Sequence, residues 1–280
     1  MLLLEKNIIE IGLEKPVKVL HVTDSHVPLC DERDGEPMQS IAARRASMLD
    51  EILENLNEQI AYAEENCDLL VHTGDLFDFI TESNIEFARE ILKNEKILYI
   101  AGNHEYCTGR RTHEDNVYRM NSYQIHGLAR LGVNMFFTSR VVGGVNFVGI
   151  DDAFHTVEAW QLKRLRMEVE KGLPVILFMH VPLFEQNLFE RSVEYWQDGS
   201  AYLMGCDEEH LMTYPEYLAV SQRPNEATEQ FVEYVNQEKR IKAVLAGHVH
   251  FNFESALPGG TMQYVTGRGC QGAAREITLL

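Results

Sequence analysis

Short apolar runs alternate with amphipathic stretches along most of this chain. Six runs are apolar throughout and end in turn-forming or polar residues; they span 17–22, 69–72, 97–100, 145–150, 175–179 and 243–246. Strands that are buried on both faces have this continuous apolar pattern, so we predict a β-strand at each run. Apolar residues at helical spacing predict helices over 40–65, 82–93, 114–131, 157–171 and 226–237.

The alternation of strands and helices predicts an α/β fold with a largely parallel sheet. Residues 260–280 are rich in glycine and β-branched residues, and we expect antiparallel pairing there. No internal repeat or linker is evident, so we expect one domain over residues 1–280. The segment 184–224 is less regular and rich in aromatic and acidic residues, which predicts an insertion that forms a cap or lid.

Composition narrows the classes of partner. The chain has 280 residues, and 25 basic against 43 acidic residues give a formal charge of −18. This charge disfavours binding to extended nucleic acid or to an anionic membrane, because both need a basic surface. A small anionic substrate remains compatible with it, since a bound metal would supply local positive charge. The sequence does not indicate the oligomeric state.

Cysteine usage and hydropathy indicate the compartment. The five cysteines are scattered and form no CxxC pair, which is typical of a reducing compartment and argues against a disulfide framework. The N-terminus has no basic segment followed by a long apolar run, and no apolar stretch approaches about 18 residues. We therefore expect a cytoplasmic protein without a membrane span.

Polar side chains follow five of the predicted strands. Ligands of open parallel sheets bind beyond the carboxyl ends of the strands. The residues at this edge are Asp24, His26, Asp75, Asp78, Asn103, His104, His180, His248 and His250. Each motif alone is explained by a turn or a buried histidine, but five at equivalent positions indicate a shared ligand. Carboxylates and imidazoles without thiolates suit Mn, Fe, Zn or Ni, and two such ions roughly 3.5–4 Å apart need a carboxylate between them.

The order of these motifs resembles the calcineurin-like metallophosphoesterase superfamily. D-x-H, G-D-x-x-D, G-N-H-E, a single His and G-H-x-H follow one another between residues 24 and 250. The resemblance implies a four-layer α/β/β/α sandwich of two mixed β-sheets flanked by helices, with a di-metal site at the strand C-terminal edge. It implies that one metal is bound by Asp24, His26, Asp75 and His250. It implies that the other is bound by Asp75, Asn103, His180 and His248.

The same resemblance implies roles in catalysis. A hydroxide between the metals would attack phosphorus, with Asp75 as the bridging ligand. His104 corresponds to the superfamily's catalytic histidine, which stabilises developing charge or protonates the leaving oxygen. Asp78 corresponds to the carboxylate that orients this histidine. Purple acid phosphatases have a tyrosine after the Gly-Asp motif, whereas this chain has Leu76 and Phe77, so we expect no tyrosinate–iron site.

The candidate substrate-binding residues have two interpretations. Arg110, Arg111 and His113 follow the Asn103–His104 motif closely and would suit a phosphate or carboxylate clamp. A solvated loop with ion pairs to neighbouring acidic residues explains them equally well.

Other side chains near the motifs also have two interpretations. Tyr106 and Phe184 would suit stacking on a base or on an aromatic leaving group, although packing is the commoner use of such residues. Asp151 follows a strand and is read as a turn residue, with support of the metal ligands as the alternative. The insertion at 30–45 is favoured as a solvated loop over a segment beside the site.

We expect a di-metal-dependent hydrolase of a small soluble phosphate monoester or diester. A nuclease acting on single-stranded nucleic acid and a protein phosphatase are alternatives within the same chemistry. A non-catalytic metal-binding scaffold is the alternative from a different class, and the complete set of ligand positions argues against it.

Overall fold

Two β-sheets lie face to face in a computed structural model that describes residues 1–108 and 127–280. The strands of the described residues, in chain order, are β1 (Leu3–Ile9), β2 (Val17–Val22), β3 (Leu69–His72), β4 (Ile97–Tyr99), β5 (Phe137–Val142), β6 (Val145–Ile150), β7 (Val175–Phe178), β8 (Ile241–Ala246), β9 (Phe253–Ala256), β10 (Met262–Val265) and β11 (Ala273–Leu279). The helices are α1 (Gly35–Ala43), α2 (Leu49–Asn66), α3 (Glu82–Ile91), α4 (Ala159–Val169), α5 (Gln186–Trp196), α6 (Glu208–Leu211), α7 (Glu216–Gln222) and α8 (Glu226–Gln237).

Both sheets are mixed. The first has the strand order β1-β11-β2-β3-β4, and the second has the order β5-β6-β7-β8-β10-β9. In the first sheet β2, β3 and β4 run parallel, and β11 pairs antiparallel with β2. In the second sheet β6, β7, β8 and β10 run parallel, with β5 and β9 antiparallel at its two edges. The alternation of strands and helices predicted a largely parallel sheet, whereas both observed sheets are mixed, because apolarity does not say which runs pair with one another.

The hydrophobic core is divided into layers. Val19, Val71, Phe147 and Leu245 belong to the cluster between the two sheets. Helices α2 and α3 pack on the outer face of the first sheet, and α4 and α8 pack on the outer face of the second. The fold is therefore the α/β/β/α sandwich of two mixed sheets that the sequence resemblance implied.

The predicted helix over 40–65 is interrupted. Helix α1 ends at Ala43, a 3₁₀ turn covers Ala46–Met48, and α2 begins at Leu49. Arg45 lies in this interruption, and its Nη1 atom is 3.0 Å from Asp78 Oδ1. The ion pair with Asp78 therefore forms at the point where the helix is broken. Most of the helix predicted over 114–131 lies outside the described residues, and Leu128–Leu131 forms a 3₁₀ turn.

Several elements were not anticipated. The edge strand β1 carries mixed exposed and half-buried residues, so it lacks the continuous apolar pattern used for the other strands. In the glycine-rich tail, β10 and β11 each have one antiparallel and one parallel neighbour, where only antiparallel pairing was expected.

The segment 184–224 is more regular than expected, because it contains α5, α6 and α7. Its apolar residues, including Leu188 and Leu203, pack with Val249 and Val265 at one end of the second sheet. Its interpretation as a cap remains a prediction. Among the described residues, no helix is long and apolar enough to cross a membrane.

Candidate metal centre

Five loops converge at one edge of the sandwich. The loops after β2, β3 and β4 belong to the first sheet, and those after β7 and β8 belong to the second. They bring together all seven of the predicted ligands: Asp24, His26, Asp75, Asn103, His180, His248 and His250. Among the described residues, three overlapping groups of possible ligands occur, one of which also includes His104, and in each group the potential ligand atoms lie within 4.8 Å of one another.

The first group joins Asp24, His26 and His250. The Nε2 atoms of His26 and His250 lie 3.1 Å apart. The Asp24 Oδ1 atom lies 3.3 Å from His250 Nε2 and 3.7 Å from His26 Nε2. Burial raises the pKa of Asp24, but the interactions with His250 and His26 outweigh it and hold this pKa well below its ordinary value. Asp24 is therefore a carboxylate at neutral pH.

The second group joins Asp75, His180 and His248, with Asn103 beside it. His180 Nε2 lies 3.1 Å from His248 Nδ1 and 3.1 Å from Asn103 Oδ1. Burial lowers the pKa of His180, yet the charge of Asp75 and other nearby carboxylates raises it to about 10. Burial and the charge of His180 lower the pKa of His248 well below its ordinary value.

Asp75 lies between the two groups. Its Oδ2 atom is 3.7 Å from His26 Nε2 in the first group and 3.4 Å from His180 Nε2 in the second. A carboxylate in this position has the geometry needed to serve two adjacent cations.

The spacing of the donors fits metal binding. Two ligand atoms that are each about 2.1 Å from one ion lie about 3.0 Å apart at a right angle and about 3.4 Å apart at the tetrahedral angle. The facing nitrogens of His26 and His250, and those of His180 and His248, are separated by distances in this range. The chemistry of the donors, imidazole nitrogens and carboxylate or amide oxygens, suits borderline divalent metals.

The backbone of the ligand loops is strained. Asp24, His26, Asp75, His248 and His250 have φ values between 48° and 68°, in the left-handed region. Such a conformation costs of the order of 1–3 kcal/mol per residue and persists only where surrounding contacts impose it. Strain concentrated in five of the seven predicted ligands indicates that the fold maintains their side-chain positions at a cost in stability.

Glu105 helps to hold the strained backbone of the ligand loops in place. This fully buried carboxylate accepts hydrogen bonds from the backbone N–H groups of Asp75 (2.8 Å), Leu76 (2.7 Å) and Gly102 (2.7 Å). It therefore joins the loop after β3 to the loop after β4. Glu105 is the last residue of the G-N-H-E motif, but the sequence indicates no role for it, because its partners are backbone groups 3 to 30 residues away.

Asp152 restrains the backbone at His180 in the way that Glu105 restrains the loops after β3 and β4. Its Oδ1 atom accepts hydrogen bonds from the N–H groups of His180 (2.8 Å) and Val181 (3.2 Å). Asp151, its neighbour, accepts a hydrogen bond from the Tyr106 hydroxyl (2.7 Å) and another from the N–H group of Ala153. The two carboxylates thus position the loops after β7 and β4, respectively.

His104 and Asp78 lie beside the first group. His104 Nδ1 is 2.9 Å from the Asp78 carbonyl oxygen and 3.0 Å from its Oδ1 atom, which is also 3.2 Å from His26 Nδ1. Burial lowers the pKa of His104, but Asp75 and Asp78 raise it to about 10. Burial raises the pKa of Asp78, while His104 and His26 hold it below its ordinary value.

Arg45 was not singled out by the sequence as a site residue. Its Nη1 atom lies 3.0 Å from Asp78 Oδ1, and its side chain is 40% exposed. The interpretation of residues 30–45 as a solvated loop is wrong at this end, because Arg45 reaches the carboxylate that contacts His104. The pairing joins residues 33 positions apart, and no local pattern indicates it.

The substrate-binding predictions have mixed outcomes. Arg110, Arg111 and His113 lie outside the described residues. Tyr106 is fully buried in the core, and Phe184 packs against Phe189 and His210; neither is among the residues that line the site cavity. The aromatic residues that line the site cavity are instead Trp196 and Tyr202. The sequence carried no signal for them beyond the aromatic content of segment 184–224.

Solved structures resemble the chain in fold. A dimetal phosphatase from Danio rerio is 13% identical, with a TM-score of 0.49, over 93% of this chain and 91% of its own. A further solved chain is 12% identical, with a TM-score of 0.50, over 94% of this chain and 95% of its own. The Haemophilus influenzae NAD nucleotidase is 12% identical, with a TM-score of 0.44, over 94% of this chain but only 47% of its own. No curated protein has a significant match.

The family comparison covers most of the chain. The model for the calcineurin-like phosphoesterases matches residues 17–252, a range that contains every strand loop of the candidate metal centre. The chain therefore belongs to the calcineurin-like phosphoesterase family and is a metal-dependent phosphoesterase.

Proposed function

We propose that this protein hydrolyses a small soluble phosphate monoester or diester at a centre of two divalent metal ions. The observation that carries the proposal is the position of Asp75 between two groups of imidazole and oxygen donors. Asp24, His26 and His250 would complete one metal site, and Asn103, His180 and His248 would complete the other. Mn, Fe, Zn and Ni all suit these donors.

The metals would supply the electrophilic part of the chemistry. Two bound divalent ions neutralise phosphate charge and make water acidic enough to attack phosphorus near neutral pH. The protein contributes a rigid arrangement of donors, because strained loops are fixed by Glu105, Asp152 and the backbone contacts described above. Pre-organised donors need no rearrangement during the reaction, which lowers its barrier.

His104 is the proposed proton donor. Its Nδ1 atom is committed to Asp78, which leaves Nε2 as the ring nitrogen available to a substrate in the cavity that His104 lines. The negative charge of Asp75 and Asp78 favours the protonated ring. Bound cations would lower this pKa toward neutrality, into the range in which a general acid is effective. Asp78 would orient the ring, and Arg45 would limit the movement of Asp78.

A small substrate agrees with the charge of the molecule. A long nucleic acid would meet a protein with a formal charge of −18, so the single-strand nuclease remains the second hypothesis. We retain the cytoplasm as the proposed compartment, because all five cysteines are free, as expected in a reducing environment.

A paired assay tests the proposal. Manganese-loaded protein receives p-nitrophenyl phosphate and bis-p-nitrophenyl phosphate in parallel, each with and without EDTA, and single-stranded DNA as a third substrate. We expect EDTA-sensitive release of nitrophenol, and the ratio of the two rates distinguishes a monoesterase from a diesterase. Degradation of DNA with neither small ester hydrolysed would favour the nuclease. Two bound metals per chain with no hydrolysis of any substrate would favour a non-catalytic scaffold.

A further inference from the structure

The segment between β7 and β8 contributes an aromatic wall to the cavity at the metal centre. This cavity has a volume of about 180 Å³, and its lining includes Asp75, Asn103, His104, Trp196, Tyr202, His248 and His250. Five of these residues carry out the metal and proton chemistry proposed above. Trp196 and Tyr202, which we call the aromatic wall, have no part in that chemistry.

The aromatic wall adjoins both groups of metal ligands. The Trp196 ring lies 5.3 Å from the His250 ring, and the Tyr202 ring lies 6.1 Å from the His248 ring. The two rings of the wall are 5.5 Å apart and roughly perpendicular to each other. These are distances at which aromatic rings attract one another. A ring bound next to the wall would therefore lie beside the proposed metal ligands.

Neighbouring residues hold the wall in place. Trp196 ends α5, and Ser192 in the same helix donates a hydrogen bond to the Ala201 carbonyl oxygen (2.6 Å), which fixes the loop that carries Tyr202. Tyr202 has a left-handed φ of 55°, and its hydroxyl donates to Asp198 Oδ2 (2.5 Å). A wall fixed in advance binds a ligand without the cost of ordering its own side chains.

Tyr195 connects the aromatic wall to Arg268. Its hydroxyl accepts a hydrogen bond from Arg268 Nη2 (3.0 Å), and the Tyr195 ring packs against Trp196 with centroids 5.4 Å apart. The guanidinium of Arg268 thus lies on the far side of the Tyr195 ring from Trp196, and its positive charge favours an anionic ester over a neutral aromatic compound.

We propose that Trp196 and Tyr202 form the subsite for a flat aromatic group joined directly to the ester oxygen. The preferred substrates are then aryl phosphate esters rather than alkyl esters, and this inference rests on the proposed function. In the reaction, the oxygen of water forms a bond to phosphorus and the bond from phosphorus to the aryl oxygen breaks. The departing aryl oxygen takes a proton from His104, the attacking water returns a proton to this ring, and the other proton of the water stays with the phosphate product. A nucleobase is a poorer fit, because ribose separates it from the phosphate.

The test compares the leaving groups in matched variants. Four proteins are loaded with manganese and compared: wild type, Trp196→Ala, Trp196→Phe and Trp160→Phe. Each receives phenyl phosphate, ethyl phosphate and AMP. If the enzyme hydrolyses diesters, the phenyl and ethyl diesters replace the monoesters. Trp160 is the other tryptophan of the chain and lies on α4, 47% exposed, so its replacement is the control. We expect Trp196→Ala to lower the phenyl-to-ethyl ratio of kcat/KM by roughly 3- to 10-fold, the range expected for one lost aromatic contact. Trp196→Phe should retain most of this ratio, and Trp160→Phe should leave it unchanged.

A binding measurement complements the kinetics. In the Trp160→Phe variant, Trp196 is the sole tryptophan, so its fluorescence reports on the wall directly. Titration with phenylphosphonate should change the emission at lower concentrations than titration with methylphosphonate. An unchanged phenyl-to-ethyl ratio in Trp196→Ala, a larger loss for AMP than for phenyl phosphate, or equal titration curves would each overturn the subsite. If wild type hydrolyses no ester at all, the proposed function fails, while the titration still decides whether the wall binds an aromatic group.

Discussion

At the scale of single residues, the site combines conformational strain with opposed charges. Five of the predicted ligands occupy the left-handed region of φ, and buried carboxylates and imidazoles lie within 4 Å of one another. Unpaired buried charge is expensive, and mutual pairing recovers only part of that cost. A site of this kind serves binding at a cost in stability. Individual substitutions should therefore change metal binding and folding stability by different amounts.

Asp75→Asn tests the shared carboxylate. We expect activity to fall by roughly 10³-fold, because loss of one buried charged partner costs about 4 kcal/mol and this residue would serve both metals. Metal content, measured by atomic emission after gel filtration, should fall below two ions per chain. Asp50→Asn, which alters an exposed carboxylate of α2, is the matched control and should change neither quantity. Full metal content with full activity in Asp75→Asn would show that the bridging role is wrong.

His104→Ala tests the division between ligand and proton donor. His104 falls in a donor group with His26 and Asp75, so geometry alone also permits a role as a ligand. We expect both metals to be retained and kcat to fall by roughly 10²- to 10⁴-fold, the range typical of general acid–base groups. His104→Gln, which keeps a polar side chain but transfers no proton, should be impaired similarly. Loss of metal in His104→Ala would assign this residue to the ligands instead.

At the scale of elements, the site depends on how closely the loops after the strands approach one another. A Cβ atom on Gly247 would lie 1.9 Å from Thr23 Oγ1 and 2.6 Å from Asp24 Oδ2. The loops after β8 and β2 come from different sheets, and only a residue without a side chain permits this contact. His248 N–H then donates a hydrogen bond to Asp24 Oδ2 (3.0 Å), which connects the two ligand loops.

Gly247→Ala should therefore weaken both stability and metal affinity. The added methyl group forces the two loops apart, and overpacking of this kind typically costs 1–3 kcal/mol. Gly267→Ala is the control, because its nearest contact would be 3.2 Å and its φ is not left-handed. Urea denaturation and manganese titration of both variants measure the two effects. A Gly247→Ala variant as stable and as tight in manganese binding as Gly267→Ala would contradict the importance of this close approach.

At the scale of the whole molecule, the metal centre spans the junction of the two sheets. The first sheet carries Asp24, His26, Asp75 and Asn103, and the second carries His180, His248 and His250. Each proposed metal would receive ligands from both sheets. Bound metals would thus fasten the halves of the sandwich together at one edge.

Metal binding should therefore stabilise the entire fold. A ligand that binds only the folded state adds about 2.7 kcal/mol of unfolding free energy at a concentration 100 times its Kd. We expect Tm to rise by several degrees with excess manganese and to return to the lower value with EDTA. The rise should be much smaller in Asp75→Asn and unchanged in Asp50→Asn. An equal rise in Asp75→Asn would place the stabilising metal elsewhere.

The sequence by itself determined which donor types lie at the candidate metal centre. Continuous apolar runs located β2, β3, β4, β6, β7 and β8, and the predicted ligands follow directly after five of these six strands. Burial on both faces and the geometry of strand ends are local properties, so they leave a local pattern. The resemblance carried by the ordered motifs then indicated the two-sheet sandwich.

Only the tertiary structure decided which parts of the chain meet. The pairing of Arg45 with Asp78, the backbone restraint by Glu105, and the wall formed by Trp196 and Tyr202 all join residues from separate loops or elements. Side chains brought together by chain reversal have no fixed sequence spacing, because their proximity is set by the packing of whole layers. For the same reason, apolar runs predicted strands but not their division into two sheets.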